Sequence, residues 1–113
     1  PLYSSAASDV YKRQPFAFAG LWEFWRSPEG MEIRSCTILT CDANDLVKPV
    51  HPRMPVLLSG DDMWAWLSPD MTPGELQGLL KPYPPELMAA YPVSLQVNSP
   101  ELDRPELIAP LAA

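Results

Sequence analysis

Apolar and polar residues alternate in short stretches along this chain, and proline and glycine punctuate them. Phe16, Phe18, Leu21, Trp22 and Phe24 form an aromatic-rich run that favours an extended strand. Ser27-Pro28-Glu29-Gly30 reads as a turn, and Ile33 to Cys41, rich in Thr and Ile, as a second strand. The two predict a hairpin. Asp42 is placed to cap a short helix over Ala43 to Val47, which Pro49 ends. Val50 to Arg53 reads as a loop and Met54 to Leu58 as a third strand. Ser59 opens a helix, with Asp62 at capping-box spacing and Trp64 and Leu67 on one face. Thr72-Pro73-Gly74-Glu75 is a clearer start: a cap, Pro at the first helical position, then an acid. That helix is predicted to reach about Leu80, with Leu76, Leu79 and Leu80 inward, before Lys81-Pro82 stops it. Pro85 to Ala90 predicts one helical turn, Pro92 to Val97 a last strand, and Pro105 to Leu111 a closing helical turn. The fold class is α+β, with antiparallel strands and short helices.

Composition sharpens this picture. Of 113 residues 15 are proline, about 13% against an average near 5%, which favours short elements and many turns. The hydrophobic fraction of 47% supports a core and excludes a disordered chain. No apolar run approaches the roughly 20 residues that span a bilayer, so no membrane partner is expected.

Pro1 to Gln14 reads differently from the rest. It is small and polar, with Lys12 and Arg13 after the soft stretch, the reverse of a signal peptide. It resembles translated adapter sequence, and we expect residues 1–14 to be a non-native leader and the reading frame to extend upstream. Net charge is −6. Taking Lys12, Arg13 and Asp9 from the 8 basic and 14 acidic residues leaves 6 and 13, net −7. A phosphate-binding surface needs clustered Lys and Arg, and no such stripe is present.

Cys36 and Cys41 are five apart, so on one strand they face opposite sides. That disfavours a disulfide, and two thiols make no metal site. Both read as small buried hydrophobes in a reducing compartment. No cofactor is expected.

The single histidine, His51, lies in Val50-His51-Pro52-Arg53-Met54-Pro55. A lone histidine is more often structural than chemical. Here it sits in a proline-stiffened loop two residues from an arginine, between apolar elements, where chemistry tends to sit. Imidazole is the side chain best suited to proton transfer near neutrality.

Three blocks in order carry a family resemblance. The first is Phe18-Ala19-Gly20-Leu21-Trp22-Glu23. The second is Thr37-Ile38-Leu39-Thr40 with Ala43-Asn44 and His51-Pro52-Arg53-Met54-Pro55-Val56. The third is Pro92-Val93-Ser94, Val97-Asn98-Ser99 and Pro105-Glu106-Leu107-Ile108. Over residues 15–113 the chain resembles the C-terminal part of an SOS-response-associated peptidase (SRAP) domain, a fold expected here to lack its N-terminal half.

The resemblance implies a covalent crosslink to abasic sites in single-stranded DNA during the DNA-damage response. The family's nucleophile is a Cys that follows the initiator Met, and an Asn, a Glu and a His assist it. His51 stands at the family's His, in its His-x-Arg-x-Pro motif. Arg53 matches the arginine that contacts DNA near the lesion, as a guanidinium suits a phosphate. Thr40 falls on the strand that approaches the same site. Two departures exist: Pro52 replaces the usual Asp, and Leu102-Asp103-Arg104 replaces an Asn-Asp/Gln-Gly turn. Glu23 follows an aromatic as the family's catalytic Glu does, but belongs to a later block and reads as structural or surface.

On this reading the chain is expected to lack the nucleophile, to be inactive alone, to be a monomer and to be cytoplasmic near the nucleoid. Trp22, Trp25, Trp64 and Trp66 could stack bases, but packing is the commoner use of such residues. The alternative is a small acidic protein-interaction module with its aromatics as an interface. A conventional peptidase would need a Ser-His-Asp or Cys-His set, which the residues do not supply.

Overall fold

The computed structural model describes residues 15–112 and the dipeptide Ser8–Asp9. Most of the expected leader therefore lies outside the described residues. The fold is α+β: eight short strands, β1 (Ser8–Asp9), β2 (Ala17–Phe18), β3 (Gly20–Arg26), β4 (Glu32–Ile38), β5 (Thr40–Asp42), β6 (Arg53–Pro55), β7 (Leu57–Leu58) and β8 (Met88–Ala89), with helices α1 (Asp61–Leu67) and α2 (Pro73–Gln77). Every pairing is antiparallel: β1 with β8, β2 with β7, β3 with β4, and β5 with β6.

Three stretches of chain change partners in mid-course. β2 and β3 are separated only by Ala19, β4 and β5 by Leu39, and β6 and β7 by Val56. The three separating residues bond in a ring. Ala19 N–H donates to the Val56 carbonyl, Val56 N–H to the Leu39 carbonyl, and Leu39 N–H to the Ala19 carbonyl, each at 2.9 Å. The ring satisfies backbone groups that would otherwise be orphaned where a ladder splits. Ala19 and Val56 are both 0% exposed. Around them lies a small core of Cys41, Met54 and Leu58, backed by half-buried Leu39, Val47, Trp66 and Tyr83. Trp66 Nε1 donates to the Gly20 carbonyl at 3.0 Å and ties α1 to the junction.

The predicted hairpin forms as β3 and β4, with Gly20 opposite Ile38 and Arg26 opposite Glu32. Its turn is the expected one. Ser27 N–H donates to the Met31 carbonyl at 2.8 Å, and Gly30 sits at φ 88, which glycine adopts freely. Both faces of this hairpin are open: Leu21 is 54%, Trp22 77% and Trp25 50% exposed.

Several expectations are corrected. The third strand is broken at Val56 because the junction takes that residue's backbone. Asp42 caps no helix. Residues 45–50 form turns instead, and Asn44 Oδ1 accepts from Val47 N–H at 3.0 Å. Ser59 makes no capping box. Its hydroxyl meets the Tyr83 hydroxyl at 3.1 Å, and the residue before α1 is Gly60 at φ 55. Trp64 and Leu67 share a face as expected, and it is the solvent face, whereas Met63 and Trp66 pack against the core. The helix from Pro73 ends at Gln77 rather than Leu80, and Leu80 is exposed while Leu76 and Leu79 are half-buried.

Its predicted start holds, with Thr72 and Glu75 forming a reciprocal capping box. Pro92 to Val97 is not a strand; Val93 makes an isolated bridge to Pro110 and a 3-10 turn covers Leu95–Asn98. Pro92, which opens the segment, brings no amide hydrogen to a ladder. The last two expected helical turns are 3-10 turns, Pro85–Leu87 and Pro105–Ile108. No described helix is long and apolar enough to cross a membrane.

Candidate functional site

The parity of β5 and β6 builds the site. Successive residues of a strand point to opposite faces. Cys41 and Met54 pair and point into the core, which turns Thr40, Asp42 and Arg53 outward. The register sets Asp42 directly opposite Arg53, and Thr40 opposite Pro55.

Arg53 spans these outward groups. Its Nη1 donates to Asp42 Oδ1 at 2.8 Å. Its Nη2 donates to the Thr40 carbonyl at 3.0 Å and to Thr40 Oγ1 at 3.2 Å. His51 meets the same residue through the backbone. Its Nδ1 accepts the Arg53 amide hydrogen at 3.0 Å, and the Arg53 carbonyl lies 3.0 Å from the same nitrogen. Nδ1 accepts from the amide in one tautomer and donates to the carbonyl in the other, so the ring is anchored at this nitrogen in either.

The loop carrying His51 is itself held. His51 N–H donates to the Val47 carbonyl at 3.0 Å, and Ala43 N–H to the Pro52 carbonyl at 3.0 Å. Asn44, 7% exposed, fixes the turn from beneath: its Nδ2 donates to the Tyr83 carbonyl at 2.6 Å while its Oδ1 accepts from Val47. Pro52, where the family pattern has Asp, leaves these contacts in place.

Of the residues singled out in the sequence, Arg53 meets Thr40 through its side chain and His51 through its backbone. Asp42 and Asn44 belong with them. Sequence reading took Asp42 for a helix cap. The signal that could have found it is parity: it shares an outward face with Thr40, two residues before. Glu23 stands apart on the exposed hairpin, opposite Ser35.

The cysteines divide. Cys36 is exposed on β4, correcting the expectation that both are buried, and Cys41 is buried; both are free thiols. Burial pushes the Cys41 thiol up, against the pull of the Arg53 cation and with a smaller push from Asp42. A buried neutral thiol is a poor nucleophile. Among the described residues no group of three or more His, Cys, Asp or Glu could hold a metal ion.

Comparison with known proteins shows the family and the fold. The abasic site processing protein YoqW of Bacillus subtilis (strain 168) is 50% identical over 94 residues, 82% of this chain and 42% of its own length. The abasic site processing protein HMCES of Gallus gallus is 38% identical over 96 residues, 82% of this chain and 28% of its own. The chain thus spans less than half the length of these relatives. A crystal structure of a Bacteroides thetaiotaomicron protein superposes with a TM-score of 0.84 at 24% identity, over 97% of this chain and 49% of that one, and shows the fold. The family model for SOS response associated peptidase (SRAP) matches residues 4–100, a span that begins inside the first fourteen residues. The chain belongs to the SRAP family.

Proposed function

We propose that this chain supplies part of an abasic-site processing protein that crosslinks to abasic sites in single-stranded DNA. The observation that carries the reading is that Arg53 on β6 bonds Thr40 of β5 through its side chain and His51 through its backbone. In the resemblance the reacting amine and thiol belong to one Cys that follows the initiator Met. Neither Cys36 nor Cys41 has that setting, so the nucleophile comes from outside the described residues. The amine condenses with the lesion's aldehyde and expels one water, and the thiol then adds across the C=N bond to close a ring. Each step moves protons, and in this reading His51 moves them. Arg53 takes a neighbouring phosphate.

The charge balance supports a divided labour. Two of the described cations, Arg26 and Arg53, already face carboxylates. With net charge −6 the chain by itself binds single-stranded DNA weakly, and most positive charge comes from elsewhere in the domain.

The test is adduct formation with a single-stranded oligonucleotide carrying one abasic site, read on a denaturing gel. The chain alone should give no adduct. A chimera supplying the part of YoqW outside the matched span should give one, and His51→Ala should slow it. An unchanged rate removes His51 from the mechanism.

A second reading, a protein-interaction module, is favoured by the bare aromatic faces of the β3–β4 hairpin. A monomeric chain that unfolds cooperatively, together with an inactive chimera, would select it.

A further inference from the structure

Asp42 has no part in the chemistry above, yet it makes the site's one ion pair. Its side chain is 88% exposed and that of Arg53 48%, so the pair adds little to folding. What it does is local. The Arg53 guanidinium is a planar fork, held at Nη1 by the Asp42 carboxylate and at Nη2 by Thr40. Both holding residues belong to one three-residue strand, β5, whose register against β6 is set by the buried Cys41–Met54 pair. With both terminal nitrogens tied to β5, the remaining N–H groups are offered in a set direction rather than sampled by a free side chain.

A carboxylate beside an anion-binding cation can act in two opposed ways. It can orient the cation, or it can simply repel the incoming phosphate. The geometry favours orientation. Asp42 binds one terminal nitrogen only, at 2.8 Å, and with Nη2 held by Thr40 the guanidinium keeps its Nε–H and a second Nη1–H for an anion. We propose that Asp42 is a positioning residue, whose carboxylate sets the orientation in which Arg53 meets a DNA phosphate. The phosphate part rests on the function proposed above; the orientation part does not.

Two measurements separate them. The first uses the chain alone and nitrogen NMR of the Arg53 guanidinium at low temperature. The native chain should show separate Nη1 and Nη2 signals, because both ends are tied. Asp42→Ala should merge them, and Asp42→Asn, which keeps an oxygen acceptor, should keep them apart. Separate signals in Asp42→Ala overturn the proposal whatever happens with DNA.

The second is affinity at low salt for a single-stranded oligonucleotide carrying a stable tetrahydrofuran abasic analogue, read by fluorescence anisotropy. Asp42→Ala should weaken binding about two- to fivefold, the worth of an exposed pair, and Asp42→Asn should recover most of it. Tighter binding by both variants overturns the proposal and makes Asp42 a repelling charge. Arg53→Ala is the control. If it binds as well as the native chain, the phosphate reading fails, and the NMR result alone decides whether Asp42 orients the guanidinium.

Discussion

Ala19 donates its amide hydrogen to the Val56 carbonyl at 2.9 Å, and both residues are 0% exposed. With Leu39 they close the ring from which three strand pairs diverge. The close approach of three backbones needs a small side chain at Ala19 and a branched one at Val56 to fill the space beneath. Val56→Ala should cost roughly 2 kcal/mol, from two lost methyl groups and the cavity they leave. Ala19→Val should cost about 1–3 kcal/mol by overpacking. Urea midpoints check both; two neutral substitutions would show that the junction is not the centre of stability.

Asn44 should matter more than its single side chain suggests. It bonds the Tyr83 carbonyl and the Val47 amide from a buried position. Asn44→Ala leaves the Tyr83 carbonyl without this donor and the Val47 amide with only the Asn44 backbone carbonyl at 3.2 Å, and should cost about 1–3 kcal/mol. Because Val47 in turn holds His51, amide chemical shifts of residues 47–53 should move with it.

The two thiols should be told apart by reagent. Cys36 is exposed and Cys41 is buried with its thiol pushed up. Iodoacetamide on the folded chain should label Cys36 and spare Cys41 until denaturant is added. Equal labelling of both in native buffer would contradict the β5–β6 register.

Glu75 supplies a pH-dependent contribution at α2. Hydrogen bonds from Thr72, chiefly its backbone amide and then its side chain, hold the carboxyl below its ordinary value of 4.5. A carboxylate depressed in the folded state binds fewer protons there than in the unfolded chain. The cap's contribution is therefore present above pH 4.5 and is lost as pH falls through the depressed value. The side-chain carbon resonance of Glu75 should titrate below 4.5, and Thr72→Val should bring the midpoint only part of the way back. A native midpoint at or above the ordinary value would remove the cap.

Much of the molecule was determined locally. The β3–β4 hairpin follows from aromatic and β-branched residues on either side of a Ser-Pro-Glu-Gly turn. The α2 start follows from Thr72, Pro73 and Glu75, whose capping bonds span three residues. His51 and Arg53 are candidates because a motif states residue types at close spacing, and Thr40 enters through the family resemblance alone. What only the tertiary structure decided is where strands exchange partners. No local pattern marks Val56 as a break, since its backbone is claimed by Ala19 and Leu39, 37 and 17 positions earlier in the chain. The same holds for Asp42. By propensity it is a helix cap, but the buried Cys41–Met54 pair sets a β5–β6 register that places it opposite Arg53. Local preferences act over three or four residues, whereas register is set by which side chains fill the core, and that is a property of distant segments meeting.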